Sequence, residues 1–536
     1  MTPVPNPEKL KLTIDGVIVE VDKGTTVLQA AGGMGIDVPR YCYHPGLTIA
    51  GNCRICLVEI EKMPKLATSC TTLAADGMVV RTTGPKVEDG RRAVMEFLLA
   101  NHPLDCPICD QAGECRLQEY SFQHGSGTSR FEEEKIKGYK NKQVGPHVVL
   151  DTERCIVCTR CVRFTQEITG TGELGVFQRG AMSYIDIFPG TQLDNAYSGN
   201  TVDICPVGAL TLEEFRFKKR VWELRDVSSV CGSCARGCNV HLGTANEKIW
   251  RLTPRENQQV NKWWMCDEGR LSYQALDNTP RLKEARMRGE AASHGPAAPA
   301  GIPWPRALEV LAGKLKEARP GAVVIMASAS LTLEDLYVAR LLAGVLNSAE
   351  IIVPETTRGV DDNLLIRAEK TPNAYGARLL GLKIDAGNRR RAEALTHAAT
   401  GKVDVLMILG SDALPPGAVE ALDAARSNAF IMVFSPFDDA VTRSADLALP
   451  GAAYGEFDGT WVNFQGRAQR VRRAVAPPAV ALEGWRMLAE LMKSMDHPGG
   501  PWSASEGVLE EIARNVAGLE GLSVKTMGAT GLQVGT

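Results

Sequence analysis

Apolar and polar positions alternate at the start of the chain. Leu12 and Ile14 are interleaved with Lys11, Thr13 and Asp15, and Val17, Ile18 and Val19 resume after Gly16, so residues 11–20 read as a hairpin. Residues 25–31 suit a helix after a polar cap, and residues 91–100 a second helix after Gly90, with Val94, Phe97 and Leu98 on one face. Past residue 305 the texture changes. Leu308, Leu311, Ala312 and Leu315 stripe one helix and Val338, Leu341, Leu342 and Val345 another; apolar runs at 322–327, 351–353, 403–409 and 430–434 read as strands, the last two around a helix at 418–425. Such alternation predicts a doubly wound parallel α/β sheet. Residues 288–305 are rich in Gly, Pro and Ala without a period, which predicts a linker at 281–305. The tail, 495–536, shows one amphipathic helix at 508–516 and then a Gly-rich end expected to be loose.

The 536 residues carry a net charge of −3 with acids and bases interspersed, which excludes a nucleic-acid footprint. The mixed run 132–137 reads as a solvated face. No stretch approaches the ~18 apolar residues of a membrane span, and the start has neither part of a signal peptide. A reducing, cytosolic-type compartment follows, where an odd number of cysteines in C-x-x-C groups means metal ligation.

All 15 cysteines fall into four sets. The first is Cys42, Cys53, Cys56 and Cys70. The second is Cys106, Cys109 and Cys115 with His102, the third Cys155, Cys158, Cys161 and Cys205, and the fourth Cys231, Cys234, Cys238 and Cys266. Four zinc ions would also consume sixteen ligands, but zinc sites pair two knuckles and repeat one spacing, whereas these four spacings all differ. One tight pair with two outlying ligands, as in the first set, suits a loop around a flat two-iron cluster. The third set, C-x2-C-x2-C with a remote Cys-Pro, is the cubane signature of bacterial ferredoxins with the fourth ligand moved downstream. Without His102 the second set has three ligands, and His124 lies nine residues past Cys115. A neutral imidazole in place of a thiolate should by itself raise the cluster potential; hydrogen bonds and burial can reverse the sign. The fourth set has the spacing of the N-terminal cubane domain of molybdopterin oxidoreductases, and a purely structural cluster is an equal reading of it.

Hairpin, helix and cysteine loop together suggest a β-grasp ferredoxin-like domain over 8–84. The cysteine sets divide the rest into 85–125, 146–220 and 224–280, ahead of the α/β domain at 306–494. The segment 409–412 (Leu-Gly-Ser-Asp) sits where such sheets bind ligands, but no dinucleotide, Walker or triad motif accompanies it. Asp438 and Asp439 read as helix caps. Arg54, Arg160 and Arg163 either stabilise reduced clusters or are surface charges.

The stretches 102–115 (His-Pro-Leu-Asp-Cys-Pro-Ile-Cys-Asp-Gln-Ala-Gly-Glu-Cys), 154–164 and 204–211 resemble the G-subunit family of NADH-quinone oxidoreductase, the large iron–sulfur subunit of respiratory complex I. The likeness is dense over 10–275 and weaker through 362–367 and 458–467, the latter similar to a stretch of molybdopterin-type domains. It implies a [2Fe-2S] cluster on the first set and [4Fe-4S] clusters on the other three, the fourth being additional and off the main path. It further implies electrons arriving from a flavin subunit that oxidises NADH and leaving toward the quinone arm of a proton-translocating complex. The chain itself would bind neither NAD nor FMN, would have no catalytic residue, and would lie peripherally on the cytoplasmic side of the inner membrane. Many members run longer, so the α/β domain is expected to be a truncated version without molybdopterin. Two rivals stay open: a diaphorase-type electron-transfer subunit of an NAD-linked hydrogenase or formate dehydrogenase, and a zinc-stabilised scaffold.

Overall fold

The computed structural model describes residues 8–291, 299–346, 349–415, 417–478 and 480–535. It divides into two compact units, Met1–Leu224 and Arg225–Thr536.

The first unit opens with the predicted hairpin, β1 (Lys9–Ile14) and β2 (Val17–Asp22), turned through Asp15 and Gly16 at positive φ. Helix α1 (Val27–Gly33) follows with Thr26 as its cap: the Thr26 hydroxyl accepts from the Gln29 N–H and the Gln29 side chain accepts from the Thr26 N–H. Strands β3 (Leu57–Ile60), β4 (Ala67–Thr68) and β5 (Val79–Arg81) complete a five-stranded sheet in the order β2-β1-β5-β3-β4, with β1 and β5 parallel. Its inner face, Leu12, Ile14, Val58, Ile60 and Val80, buries Val27, Leu28 and Ala31 of α1, the β-grasp arrangement.

Helix α2 (Pro85–Ala100) starts earlier than residue 91, with Pro85 in its first turn. The added turn sets the buried stripe at Val87, Arg91 and Met95; Phe97 lies off it and is 81% exposed, while Val94 and Leu98 stay half-buried. Helix α3 (Arg116–His124), strands β6 (Lys142–Gln143) and β7 (Val148–Leu150), helix α4 (Arg160–Arg163), the pair β8 (Leu174–Phe177) and β9 (Tyr184–Ile187), helix α5 (Asn200–Asp203) and β10 (Leu210–Leu212) complete the unit. β10, β7 and β6 form a small antiparallel sheet.

The second unit begins with the antiparallel sheet β11 (Arg225–Val230), β12 (Asn239–Ala245) and β13 (Lys248–Pro254), then helices α6 (Asp267–Leu271) and α7 (Ala275–Asn278). Strands β14 (Ala285–Ala291) and β15 (Pro299–Ile302) correct the expected linker: β14 pairs antiparallel with a later strand of the main sheet and β15 with β14. Residues 292–298 of that segment lie outside the described residues. The physical reason is edge pairing, where backbone hydrogen bonds to a sheet already present replace an apolar repeat.

The chain continues through the predicted α8 (Trp304–Glu317), β16 (Val323–Ala327), α9 (Leu333–Val345) and β17 (Glu350–Pro354). Then come α10 (Ala374–Leu379), β18 (Ile384–Asp385) and α11 (Arg389–Ala399), which the spacing did not predict. The predicted β19 (Val405–Leu409), α12 (Val419–Ala425) and β20 (Phe430–Ser435) follow, and the further α13 (Ala440–Ser444) and β21 (Leu447–Pro450). The eight strands run in the order β15-β14-β21-β20-β19-β16-β17-β18, parallel from β21 to β18. Asp439 caps α13, and Asp438 pairs with Arg286 and Arg443. Strands β22 (Gly459–Val462) and β23 (Arg467–Val471), and helices α14 (Gly484–Ser494), α15 (Ser505–Asn515) and α16 (Val524–Met527), lead to β24 (Leu532–Gln533). The tail is therefore not loose: β24 pairs with β23, and Leu519, Leu522, Met527 and Val534 are buried in the main core.

Candidate metal centres

In the first unit, loops deliver the thiols. The first set comes from the loop 42–56 and from Cys70 after β4. Gly51 and Arg54 take positive φ there, and a Cβ on Gly51 would meet Thr71 at 2.8 Å. The Cys42 N–H donates to Cys53 Sγ at 3.5 Å, and Cys56 Sγ lies 3.4 Å from Cys70 Sγ. Sulfur-to-sulfur hydrogen bonds from Cys53 and Cys70 hold the Cys42 thiol down, and push Cys53 and Cys70 up. Arg54 points outward, exposed.

The third set is turned by Val157 and Thr159, two non-glycine residues at positive φ between Cys155, Cys158 and Cys161. These three and Cys205 line one small cavity with Leu150, Ile185 and Leu210. Burial pushes the Cys158 thiol up to about 11 and raises Cys155, Cys161 and Cys205 as well. Thiolates crowded into so apolar a place need a polyvalent cation to be stable.

Arg160 and Arg163, left open from sequence, are interior. The Arg163 guanidinium donates to the carbonyls of Cys42 (2.6 Å), Cys158 (3.4 Å) and Thr48, and Arg160 to those of Ile204 (3.0 Å) and Tyr43 (2.5 Å). They thereby tie the first cysteine loop to the third.

The second set begins where α2 ends. His102 is pulled down to about 4 by burial first and then by Lys135 and Arg154, so its imidazole is neutral, the form that ligates metal. Cys106 is exposed, Cys109 buried and Cys115 half-buried. Cys109 Sγ lies where a Cβ on Gly208 would be, 2.2 Å from that position, and the Arg116 N–H donates to the Pro206 carbonyl at 3.1 Å. The segment after Cys205 therefore seats the second set. Arg154 pairs with Asp105 (2.9 Å) and Asp151 (3.2 Å), and Lys140 with Asp105 (2.5 Å), Asp151 (3.5 Å) and Glu153 (3.0 Å). Burial opposes ionisation of Asp105, but the two cations overcome it and hold its carboxyl low. Cys42, Cys53, Cys115, Cys155, Cys158 and Cys205 all pack into one apolar cluster around Tyr41 and Met95.

In the second unit, Cys231, Cys234 and Cys238 follow β11, and Cys266 caps α6, its sulfur accepting from the Gly269 N–H at 3.3 Å. A Cβ on Gly269 would meet Cys231 Sγ at 2.9 Å and Cys266 Sγ at 3.4 Å, so this glycine lets the two ends of the set approach. All four thiols are buried; burial pushes Cys231 up to about 11 although the Ser233 hydroxyl favours its thiolate. Gly208, Gly269 and the Arg154 network were not singled out from sequence. The Cys-Pro-Val-Gly and Cys-Asp-Glu-Gly contexts at 205–208 and 266–269 were the available signals.

Comparison with known proteins follows this geometry set by set. Residues 7–85 match the 2Fe-2S iron-sulfur cluster binding domain and residues 91–130 the NADH-ubiquinone oxidoreductase-G iron-sulfur binding region. Residues 145–211 match the ferredoxin-like domain of NADH-quinone oxidoreductase subunit 3, and 224–278 and 356–494 the Fe4S4 domain and main domain of molybdopterin oxidoreductase. The NADH-quinone oxidoreductase G-subunit of Rickettsia felis is 32% identical over 91% of this chain and 88% of its own. The mitochondrial NADH dehydrogenase [ubiquinone] iron-sulfur protein 1 of Solanum tuberosum is 41% identical over 65% of this chain and 46% of its own. An NAD+-reducing [NiFe]-hydrogenase structure is 30% identical, covering 40% of this chain and 91% of that one, with a TM-score of 0.37. The chain belongs to the G-subunit family of NADH-quinone oxidoreductase.

Proposed function

We propose that the four residue sets each hold one iron–sulfur cluster, within a chain that is the iron–sulfur electron-transfer subunit of an NADH-quinone oxidoreductase. In this reading Cys42, Cys53, Cys56 and Cys70 carry a [2Fe-2S] cluster. His102 with Cys106, Cys109 and Cys115, then Cys155, Cys158, Cys161 and Cys205, and lastly Cys231, Cys234, Cys238 and Cys266, each carry a [4Fe-4S] cluster. Bound clusters supply reversible one-electron chemistry. The residues of the chain keep water out, hold the thiolates in register and set the surrounding charge.

One observation carries this reading: thiols from the first three sets share a single apolar cluster. Centres meant to pass electrons must be near one another in a dry medium, whereas separate structural metals need no such sharing.

The partners follow from the role: an NADH-oxidising flavin subunit on one side, and iron–sulfur and quinone-arm subunits on the other, at the cytoplasmic face of the inner membrane. Among the described residues no helix is long and apolar enough to cross a membrane. Iron and acid-labile sulfide on anaerobically purified protein test the assignment. About 14 iron per chain is expected, with one two-iron EPR signal among cubane signals after dithionite. A colourless protein with about four zinc would overturn it.

A further inference from the structure

A cavity of about 1030 Å³ in the second unit opens at the carboxyl ends of β16, β19 and β20, where parallel sheets bind ligands. The molybdopterin oxidoreductase model that matches this region implies a phosphate-bearing pterin there. The wall does not fit one. No cysteine is among its described lining residues. Its two cations, Arg358 and Lys370, are both committed to Glu268, at 2.7 Å each. Asp412 is the reverse case. Its carboxylate is exposed to the cavity, and Oδ2 accepts from the Ser328 and Ser330 hydroxyls at 2.6 and 2.7 Å. Among the described residues it has no cationic partner, and its Oδ1 accepts no hydrogen bond.

The backbone is shaped to present that group. Gly410 sits at φ +87°, and a Cβ there would meet Asp412 Oδ1 at 2.7 Å and Ser328 Cβ at 2.9 Å. Around it the wall is aromatic: Tyr454 and Trp461 stack at 6.0 Å, with Phe437 and Phe457 also lining the space.

We propose that this cavity is a binding site for a planar aromatic molecule, neutral or cationic, that offers a pair of N–H donors to Asp412 and carries no phosphate. The inference uses none of the cluster ligands, so it stands or falls apart from the cluster assignment. An amidine-like N–H pair satisfies a carboxylate that none of the described residues neutralises, and the aromatic walls take the ring. A phosphate would meet an unpaired carboxylate and, among the described lining residues, no cation outside the Glu268 pairs.

Fluorescence titration of the full chain with 4-aminobenzamidine tests this, beside 4-aminobenzoate, of the same size and opposite charge, and inorganic pyrophosphate. Saturable binding of the amidine alone is expected, with Asp412→Asn weakening it about tenfold or more. A Glu268→Gln variant frees Arg358 and Lys370 and is expected to gain pyrophosphate binding, an outcome misfolding cannot mimic. Tighter binding of the benzoate or of pyrophosphate to the unaltered chain would overturn the proposal. So would an unchanged affinity in Asp412→Asn, no gain in Glu268→Gln, or no saturable binding of the amidine.

Discussion

Gly208 shows how one missing side chain places a thiol. A methyl group there would stand 2.2 Å from Cys109 Sγ, well inside contact distance, with Gln111 Cβ 3.1 Å away on another side. Neither neighbour is the tip of a long flexible chain, so in Gly208→Ala the sulfur itself must move. We expect iron to fall from about 14 to about 10 per chain, with the histidine-ligated cluster's EPR signal lost and the others kept. Full iron with unchanged spectra would show that Cys109 has room to shift. The ligand types and spacings were legible in the sequence, because soft thiolates in tight groups admit few chemistries. The seat of Cys109 was not, because its neighbour lies far along the chain. Arg160 and Arg163 make the same point. Three residues apart beside a cysteine loop they read equally as surface charges, and only the carbonyls of Tyr43, Cys42 and Thr48 around them show that they are interior. Arg54, in a similar sequence setting, faces solvent.

Elements with a strong apolar stripe were legible, and those held by pairing or capping were not. Helix α8 buries Leu308, Leu311, Ala312 and Leu315 as its spacing requires. β15 and β24 have no stripe of their own, since each is held by backbone pairing to a neighbouring strand. The start of α9 carries a feature that no periodicity reveals: Glu334 and Asp335 are both buried. Asp335 closes the capping box with Thr332 and also accepts from the Trp485 N–H at 2.6 Å. Glu334 accepts from the Thr460 N–H and hydroxyl at 2.9 and 2.8 Å, yet burial pushes its carboxyl up to about 8. In the unfolded chain the same group titrates near ~4.3. Below that pH both states are protonated and the proton stabilises the fold fully. As pH rises the unfolded chain ionises first, so stability is lost steadily until about pH 8 is passed, at up to ~1.4 kcal/mol per unit. Glu334→Gln keeps the shape and cannot ionise. Its melting temperature should match the parent near pH 5 and exceed it by several degrees at pH 8. Parallel melting curves for the two proteins across that range would refute a buried, protonated Glu334.

For the molecule as a whole, the division at Leu224 and Arg225 separates two kinds of construction. The first unit has small sheets and much of its interior built from cysteine loops; the proposed cluster ligands are themselves core residues around Tyr41, Met95 and Leu150. The second has a large conventional core on the faces of an eight-stranded sheet, with its one cysteine set beside β11 and α6. Removal of metal should therefore act unequally. Without iron, the first unit keeps its β-grasp sheet but loses what neutralises the crowded thiolates behind it, since metal binding and folding are coupled where ligands form the core. The second retains an apolar core whose stability owes little to four thiols at one end. Chelation under anaerobic conditions, followed by limited proteolysis, should cleave between residues 100 and 220 first and leave a resistant fragment from about residue 280 onward. Hydrogen exchange on the same samples should show fast amides around Cys155–Cys161 and slow ones in β16, β19 and β20. Equal loss of protection in both units would mean that the second also depends on its cluster to fold, and that its α/β core, large as it is, does not stand alone.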